Sequence, residues 1–442
     1  MSEYTMLETI MKDIIHVVTP VQEDWETRFE IINDLRRIVE SVESLRGATV
    51  EPYGSFVSNL FTPWGDLDIS IELLNGLHIA NTGRKQKQVL LGDLFKVLRK
   101  KGGWSRMQFI FNARIPILKL QNNRHSISCD ISLNNLEAEM KSKILLWINK
   151  IDGRFRDMVL VVKEWAKAQK INDSKTGTFN SYSLSLLVIF HFQTCVPAIL
   201  PPLKEIYPTN MADDLIGVKV DIENLIAETF DANINQFISN KSRSINRKSV
   251  PELFVEFLKK FGKMNSWASD LGISAYTGQW EQIKNNTRWL PKTYALFVED
   301  PFEQPQNTAR SVSQGKLAKI NSAFVNTYNL LTSKNLNQSS LLTHLAPPEV
   351  AMFIAKPVVP NYNGGYYHHP TQPQVQRVRR PHPHTNPRPH PQPKPQVQPQ
   401  PQPQHQSQNG GRGISSKRST SRAPVQPHQG HQGQQIWRQK TQ

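Results

Sequence analysis

Apolar residues recur at helical spacing at the start of the chain: Ile14, Ile15 and Val18, then Phe29, Ile32, Leu35, Ile38 and Val39. That period predicts helix across residues 4–46. The period shortens to two over residues 67–73 and again over 126–133, which predicts two strands. Between them Leu90, Leu91, Leu94, Val97 and Leu98 predict an amphipathic helix over 86–101. Beyond 136 the pattern is mostly helical, over 137–150, 153–170, 180–194, 220–240 and 250–262. A small early sheet followed by a helical region is an α+β arrangement. No internal repeat is present.

Near residue 345 the periodicity stops, and Pro, Gln, His and Gly take over. Residues 345–442 hold 18 of the 30 prolines and 8 of the 13 histidines. Pro-Gln alternation from Pro391 to Pro403 favours extended chain and buries no core, so the segment is expected to be disordered. It carries twelve Lys and Arg against one acid, Glu349, which is +11 of the total charge of +16 and leaves +5 for the first 344 residues. The positive balance points to a polyanionic partner. Two cysteines in 442 residues exclude a disulfide scaffold and any multi-cysteine zinc module. Cys129 and Cys195 read as reduced, buried thiols. The longest apolar run, 184–192, is too short to span a bilayer, and no leader pattern opens the sequence. A soluble chain of nucleus and cytoplasm, without a membrane partner, is expected.

The chemistry concentrates in Trp64-Gly65-Asp66-Leu67-Asp68-Ile69-Ser70-Ile71-Glu72-Leu73. In a strand, Leu67, Ile69, Ile71 and Leu73 face one way, and Asp66, Asp68, Ser70 and Glu72 the other. In the second strand Asp130 faces away from its apolar neighbours. If the two strands are adjacent, three carboxylates converge. Hard Mg²⁺ prefers carboxylate oxygens, and such a cluster can hold two ions about 4 Å apart that activate an attacking hydroxyl and stabilise leaving pyrophosphate. Alternation alone also describes an ordinary half-exposed strand. Gly54-Ser55, eleven residues before the Asp pair, adds a place where backbone approaches phosphate closely.

Together, Gly54-Ser55, Asp66, Asp68 and Asp130 resemble the motifs of the polymerase-beta-like nucleotidyltransferase superfamily, within it the cytoplasmic poly(A) polymerases and terminal uridylyltransferases that act on RNA. The resemblance covers residues 10–330. The stretches 45–50, 54–61 and 171–180 are similar to plant terminal uridylyltransferases that tail small RNAs lacking a 3′-terminal 2′-O-methyl group. The resemblance implies a nucleotidyltransferase catalytic domain with a small mixed sheet at 47–135. It also implies a helical, poly(A)-polymerase-associated domain at 136–335, on which the N-terminal helices of 1–46 pack. Asp66, Asp68 and Asp130 are then the catalytic residues and the ligands of Mg²⁺ or Mn²⁺. Gly54, Ser55, Lys163, Lys167 and Ser181 hold the triphosphate, Tyr182 stacks on the base, and Asn135 lies near the ribose. Lys163 and Lys167, at i and i+4, also fit a plain solvated face, and Tyr182 alone also fits a core.

Base choice is implied to lie in residues 299–307, with Asp300 and Glu303 reading the base edge. Gln306 stands where a yeast-type uridylyltransferase has histidine. The implied reaction adds UMP from UTP to RNA 3′ ends, marking small RNAs for decay, with Argonaute as an implied partner. A poly(A) polymerase and a non-catalytic scaffold that binds RNA or Argonaute remain the alternatives. The tail carries eight arginines suited to non-specific phosphate contact, and equally to a solubilising role.

Overall fold

The computed structural model describes residues 4–75, 78–79, 82–290, 293–333 and 337–355. The expected tail lies outside the described residues from 356 onward. The described residues belong to one compact unit, Met1–Asn361.

Two helices open the chain, α1 (Thr5–Val18) and α2 (Gln22–Glu40). The helical segment expected over 4–46 divides into two helices at Thr19-Pro20, where proline cannot continue the hydrogen-bond ladder. The Asp24 carboxylate then accepts from the Val21 N–H at 2.8 Å and starts α2. Next come β1 (Thr49–Tyr53), α3 (Gly54–Val57), β2 (Leu67–Glu72) and a two-stranded ribbon of β3 (Leu74–Asn75) and β4 (His78–Ile79). Then follow α4 (Arg84–Lys101), β5 (Trp104–Ile110), β6 (Ile117–Asn122) and β7 (Ser128–Leu133). The rest is mainly helical: α5 (Leu136–Ile148), α6 (Arg154–Ala168), α7 (Ser181–Thr194), α8 (Leu203–Ile206), α9 (Met211–Asp214), α10 (Lys219–Ser239), α11 (Val250–Phe261) and α12 (Met264–Trp267). A hairpin of β8 (Leu271–Ser274) and β9 (Gln279–Gln282) precedes α13 (Gln314–Leu331), α14 (Gln338–Leu345) and α15 (Pro348–Ile354).

The main sheet has the order β1-β2-β7-β6-β5. The β2–β7 pair is parallel and the others are antiparallel, so the sheet is mixed and the α+β expectation stands. One sheet face carries Leu67, Ile69, Ile71, Cys129 and Ile131, packed with Leu35 of α2 and Leu91 and Leu94 of α4 in one apolar cluster. The opposite face meets α5. A second, larger cluster joins α1, α6, α7, α10, α11 and α13, with Trp165, Phe190 and Phe254 fully buried.

Two expectations need correction. Residues 1–46 do not pack as one unit on the helical region: the apolar face of α1 joins the helical cluster and that of α2 joins the sheet cluster. Ordered chain also continues past 345, because Leu341, Leu345 and Val350 of α14 and α15 are fully buried in the helical cluster.

Candidate active site

The sheet register places four polar side chains in one row. Tyr53 of β1 is opposite Asp68 of β2, Asp68 is opposite Asp130 of β7, and Asp130 is opposite Lys119 of β6. Asp66 lies two residues before Asp68, on the same face. The Lys119 ammonium donates to Asp130 Oδ2. Burial, then the charges of Asp130 and Asp66, push the Asp68 carboxyl up to about 7. Asp66 is raised too, by burial first and by Asp130 second, against the opposing pull of Lys119, Lys167 and Lys175. Three carboxylates are thus crowded together at an electrostatic cost. Burial pushes the Cys129 thiol on the far face up to about 12, which leaves it an inert core group.

Gly54 has φ of +69°, and a Cβ added there would lie 2.0 Å from Asp68 Oδ2. Glycine is required both by its left-handed backbone and by the carboxylate against it. The Gly54 N–H donates to Ser142 Oγ of α5 at 2.7 Å. The loop before Asp66 is held by Arg28 of α2, fully buried. Its guanidinium donates to the carbonyls of Thr62, Pro63 and Gly65 at 3.2, 3.1 and 2.7 Å. Farther along β2 the polar face is closed to water: Ser70 and Glu72 are buried, and both accept from the Asn135 N–H at 3.0 Å. The Asn135 side chain donates to Ser132 Oγ at 3.4 Å.

Across from the sheet, α6 supplies the lysine pair. Lys163 Nζ is buried and donates to the Leu60 carbonyl at 2.7 Å. Burial, then Lys167, pulls its pKa down to about 8. Lys167 Nζ bonds Glu164 at 2.7 Å and is more exposed. Asn180 caps α7, its side chain accepting from the Ser183 N–H at 2.7 Å. The cap leaves Ser181 exposed at the helix start, within 3.2 Å of Asn172. Tyr182 follows, its hydroxyl donating to Asp300 Oδ1 at 3.2 Å.

A cavity of about 1130 Å³ joins these groups, roomy enough for a nucleotide with space to spare. Gly54, Ser55, Asp66, Asp68, Asn135, Lys163, Lys167, Ser181, Tyr182, Asp300, Glu303 and Gln306 all line it. Asp130 is the exception: it sits behind Lys119, which lines the wall in its place. Lys119, Lys141, Lys175, Arg114 and Arg310 are lining cations that the sequence reading did not mark. Lys119 is the one an alternation argument reaches, since β6 alternates buried and half-buried positions. The others meet the cavity only through tertiary folding.

Among the described residues, no three His, Cys, Asp or Glu side chains are gathered closely enough to hold a metal ion as they stand. The donor chemistry still fits a hard divalent cation: oxygen atoms only, from crowded carboxylates whose repulsion a cation relieves.

The row of acids, the glycine beside it and the lysine pair across a nucleotide-sized cavity define a nucleotidyltransferase of the polymerase-beta-like kind. The family described as "Poly(A) RNA polymerase, mitochondrial-like, central palm domain" matches residues 7–150. Protein HESO1 of Arabidopsis thaliana is 56% identical over 342 residues, 77% of this chain and 67% of that protein. Poly(A) RNA polymerase cid11 of Schizosaccharomyces pombe is 24% identical over 323 residues, 72% of this chain and 60% of that one. Poly(A) RNA polymerase GLD2 of Homo sapiens is 29% identical over 237 residues, 53% of this chain and 46% of that one. The chain therefore spans about two thirds of the first of these relatives and less of the others. Among solved structures, the Cid1 poly(U) polymerase with MgGTP bound superposes with a TM-score of 0.61 at 23% identity, over 77% of this chain and 99% of that one. The mtPAP complex with UTP gives 0.59 at 20% identity, over 78% and 71%. The chain belongs to the RNA nucleotidyltransferase family that contains Protein HESO1.

Proposed function

We propose that the protein is a template-independent terminal uridylyltransferase, adding UMP from UTP to the 3′-OH of RNA. The observation that carries this reading is the single cavity in which Asp66 and Asp68 face Lys163, Lys167 and Tyr182. Likeness to Protein HESO1 and to the Cid1 poly(U) polymerase supports uridylyl over adenylyl transfer.

In this reading Asp66, Asp68 and Asp130 would hold Mg²⁺ or Mn²⁺, which when bound activates the attacking hydroxyl and steadies the departing pyrophosphate. Ser55, Lys163, Lys167 and Ser181 bind the triphosphate, the lysines as compact point charges. Tyr182 supplies a face for the base, and Asn135 closes the cavity near the sugar. Lys119 is the counter-charge of Asp130 before substrate arrives. The acceptors are small RNAs without a 3′-terminal 2′-O-methyl group, because a methyl adds bulk and removes a donor beside the reacting hydroxyl. The outcome is decay of the tailed RNA, in nucleus and cytoplasm, with Argonaute as the protein partner.

The test offers each of the four nucleoside triphosphates separately with Mg²⁺ and a labelled single-stranded RNA. Predominant U addition is expected, and its loss in Asp66→Ala/Asp68→Ala, by at least about a thousandfold, accompanies it. Predominant A addition sinks the uridylyl reading. RNA binding without any addition by the wild type sinks the enzymatic one.

A further inference from the structure

Lys141, on α5, is absent from every motif in the sequence, yet it stands at the centre of the base end of the cavity. Its side chain is 14% exposed, and its Nζ lies 2.6 Å from Asp300 Oδ2 and 2.8 Å from Glu303 Oε2. The same Nζ is 5.8 Å from the centroid of the Tyr182 ring. Asp300 Oδ1 takes the Tyr182 hydroxyl, and Arg114, from the β5–β6 connection, pairs with Glu303 Oε1. Around one aromatic ring the fold has gathered an ammonium that only donates, two carboxylates that accept, and a guanidinium that only donates.

Nucleobases differ in what they present to such a ring of groups. Uracil offers carbonyl, N–H, carbonyl along one edge. Cytosine and adenine each replace a carbonyl position by an amino group. Carboxylates alone welcome an amino group, so Asp300 and Glu303 by themselves favour the wrong bases. The Gln306 amide has both a donor and an acceptor and adjusts to either.

We propose that Lys141 is the uracil-selecting residue: its ammonium donates to the C4 carbonyl of the base held against Tyr182, the position at which cytosine has its amino group, while Asp300 or Glu303 accepts the ring N–H. This rests on the uridylyl reading above. An amino group at the same place confronts donor with donor and leaves both unpaired in a half-buried site, the arrangement that discriminates most strongly. Burial works against a charged lysine here, but Asp300 and Glu303 outweigh it and hold the Lys141 pKa above its ordinary value. The ammonium is therefore present at any pH where the enzyme works. Removing it also leaves the buried Asp300 carboxylate without its cation and Glu303 with Arg114 alone, so a strut role must be told apart from a reading role.

The ratio of kcat/KM for UTP to that for CTP, and for ATP, makes the distinction, measured on the full chain with Mg²⁺ and labelled single-stranded RNA. Both values come from one preparation, so a partly unfolded variant leaves the ratio intact. Lys141→Met is expected to lower the UTP preference by about ten- to a hundredfold, the worth of one hydrogen bond to a charged group. Lys141→Arg, which keeps a charged donor, is expected to retain most of it. A Lys141→Met enzyme that loses rate equally with all nucleotides, or keeps its UTP preference, overturns the proposal and leaves Lys141 a strut. A wild type that prefers ATP overturns the uridylyl reading itself.

Discussion

Gly54 bears on catalysis through contact as much as through backbone freedom. Its missing Cβ is the space occupied by Asp68 Oδ2, and its φ of +69° costs an L-residue about 1–2 kcal/mol before any clash. Gly54→Ala should therefore displace the Asp68 carboxylate. The expected result is loss of nucleotide addition by more than about a hundredfold, with a melting temperature lowered by several degrees for roughly 2 kcal/mol. An alanine variant of normal activity contradicts the contact. The sequence points to this glycine, but for its approach to phosphate; its approach to Asp68 needs β1 and β2 in register. Arg28, Lys119, Lys141 and Arg114 show the same gap. Each is an ordinary charged residue locally, and each acquires its role only from a partner about ten to 190 positions away.

At the scale of elements, α7 is buried on every side from Ser183 to Gln193, and His191 is carried inside it against Phe257, ring centroids 5.8 Å apart. Burial, then Lys260, pulls its pKa from 6.5 down to about 3. The native form thus stays neutral between those values, while the unfolded chain takes up a proton. Stability is fully kept above pH 6.5 and falls as pH drops below it, by about 1.4 kcal/mol per unit from this group. Denaturant unfolding of His191→Met should show a correspondingly flatter loss between pH 6.5 and 5. Equal slopes in the two proteins remove His191 as the cause. Most of the long helices and the two acidic strands were legible, most to within two residues, because their apolar faces pack as their period demands; α13 (Gln314–Leu331) was not among those expected. By contrast β1, β5 and β6 went unread: Thr49–Tyr53 is short and holds a proline, β5 has no fully buried position, and β6 is six residues long with lysine, glutamine and asparagine among them. Their pairing comes from neighbouring strands.

Among the described residues, α14 and α15 close the helical cluster. Leu341, Leu345 and Val350 are fully buried, and the His344 carbonyl takes the Gln169 amide at 2.8 Å. A chain ending after residue 355 should melt as the full chain does. One ending after residue 335 should lose roughly 5 kcal/mol or more, from three large apolar side chains. Urea unfolding of both compares them directly, and equal midpoints refute the closure. The row Tyr53–Asp68–Asp130–Lys119 carries a further consequence. Side chains alternate along β7, so a slip of one position would bring Cys129 to the acidic face beside Asp68 and turn Asp130 into the core. Two carboxylates and a thiol suit soft, thiophilic metals rather than magnesium. The proposed magnesium site thus depends on the alignment of two parallel strands, and a single residue inserted in β7 would take away one of the oxygen ligands assigned to it.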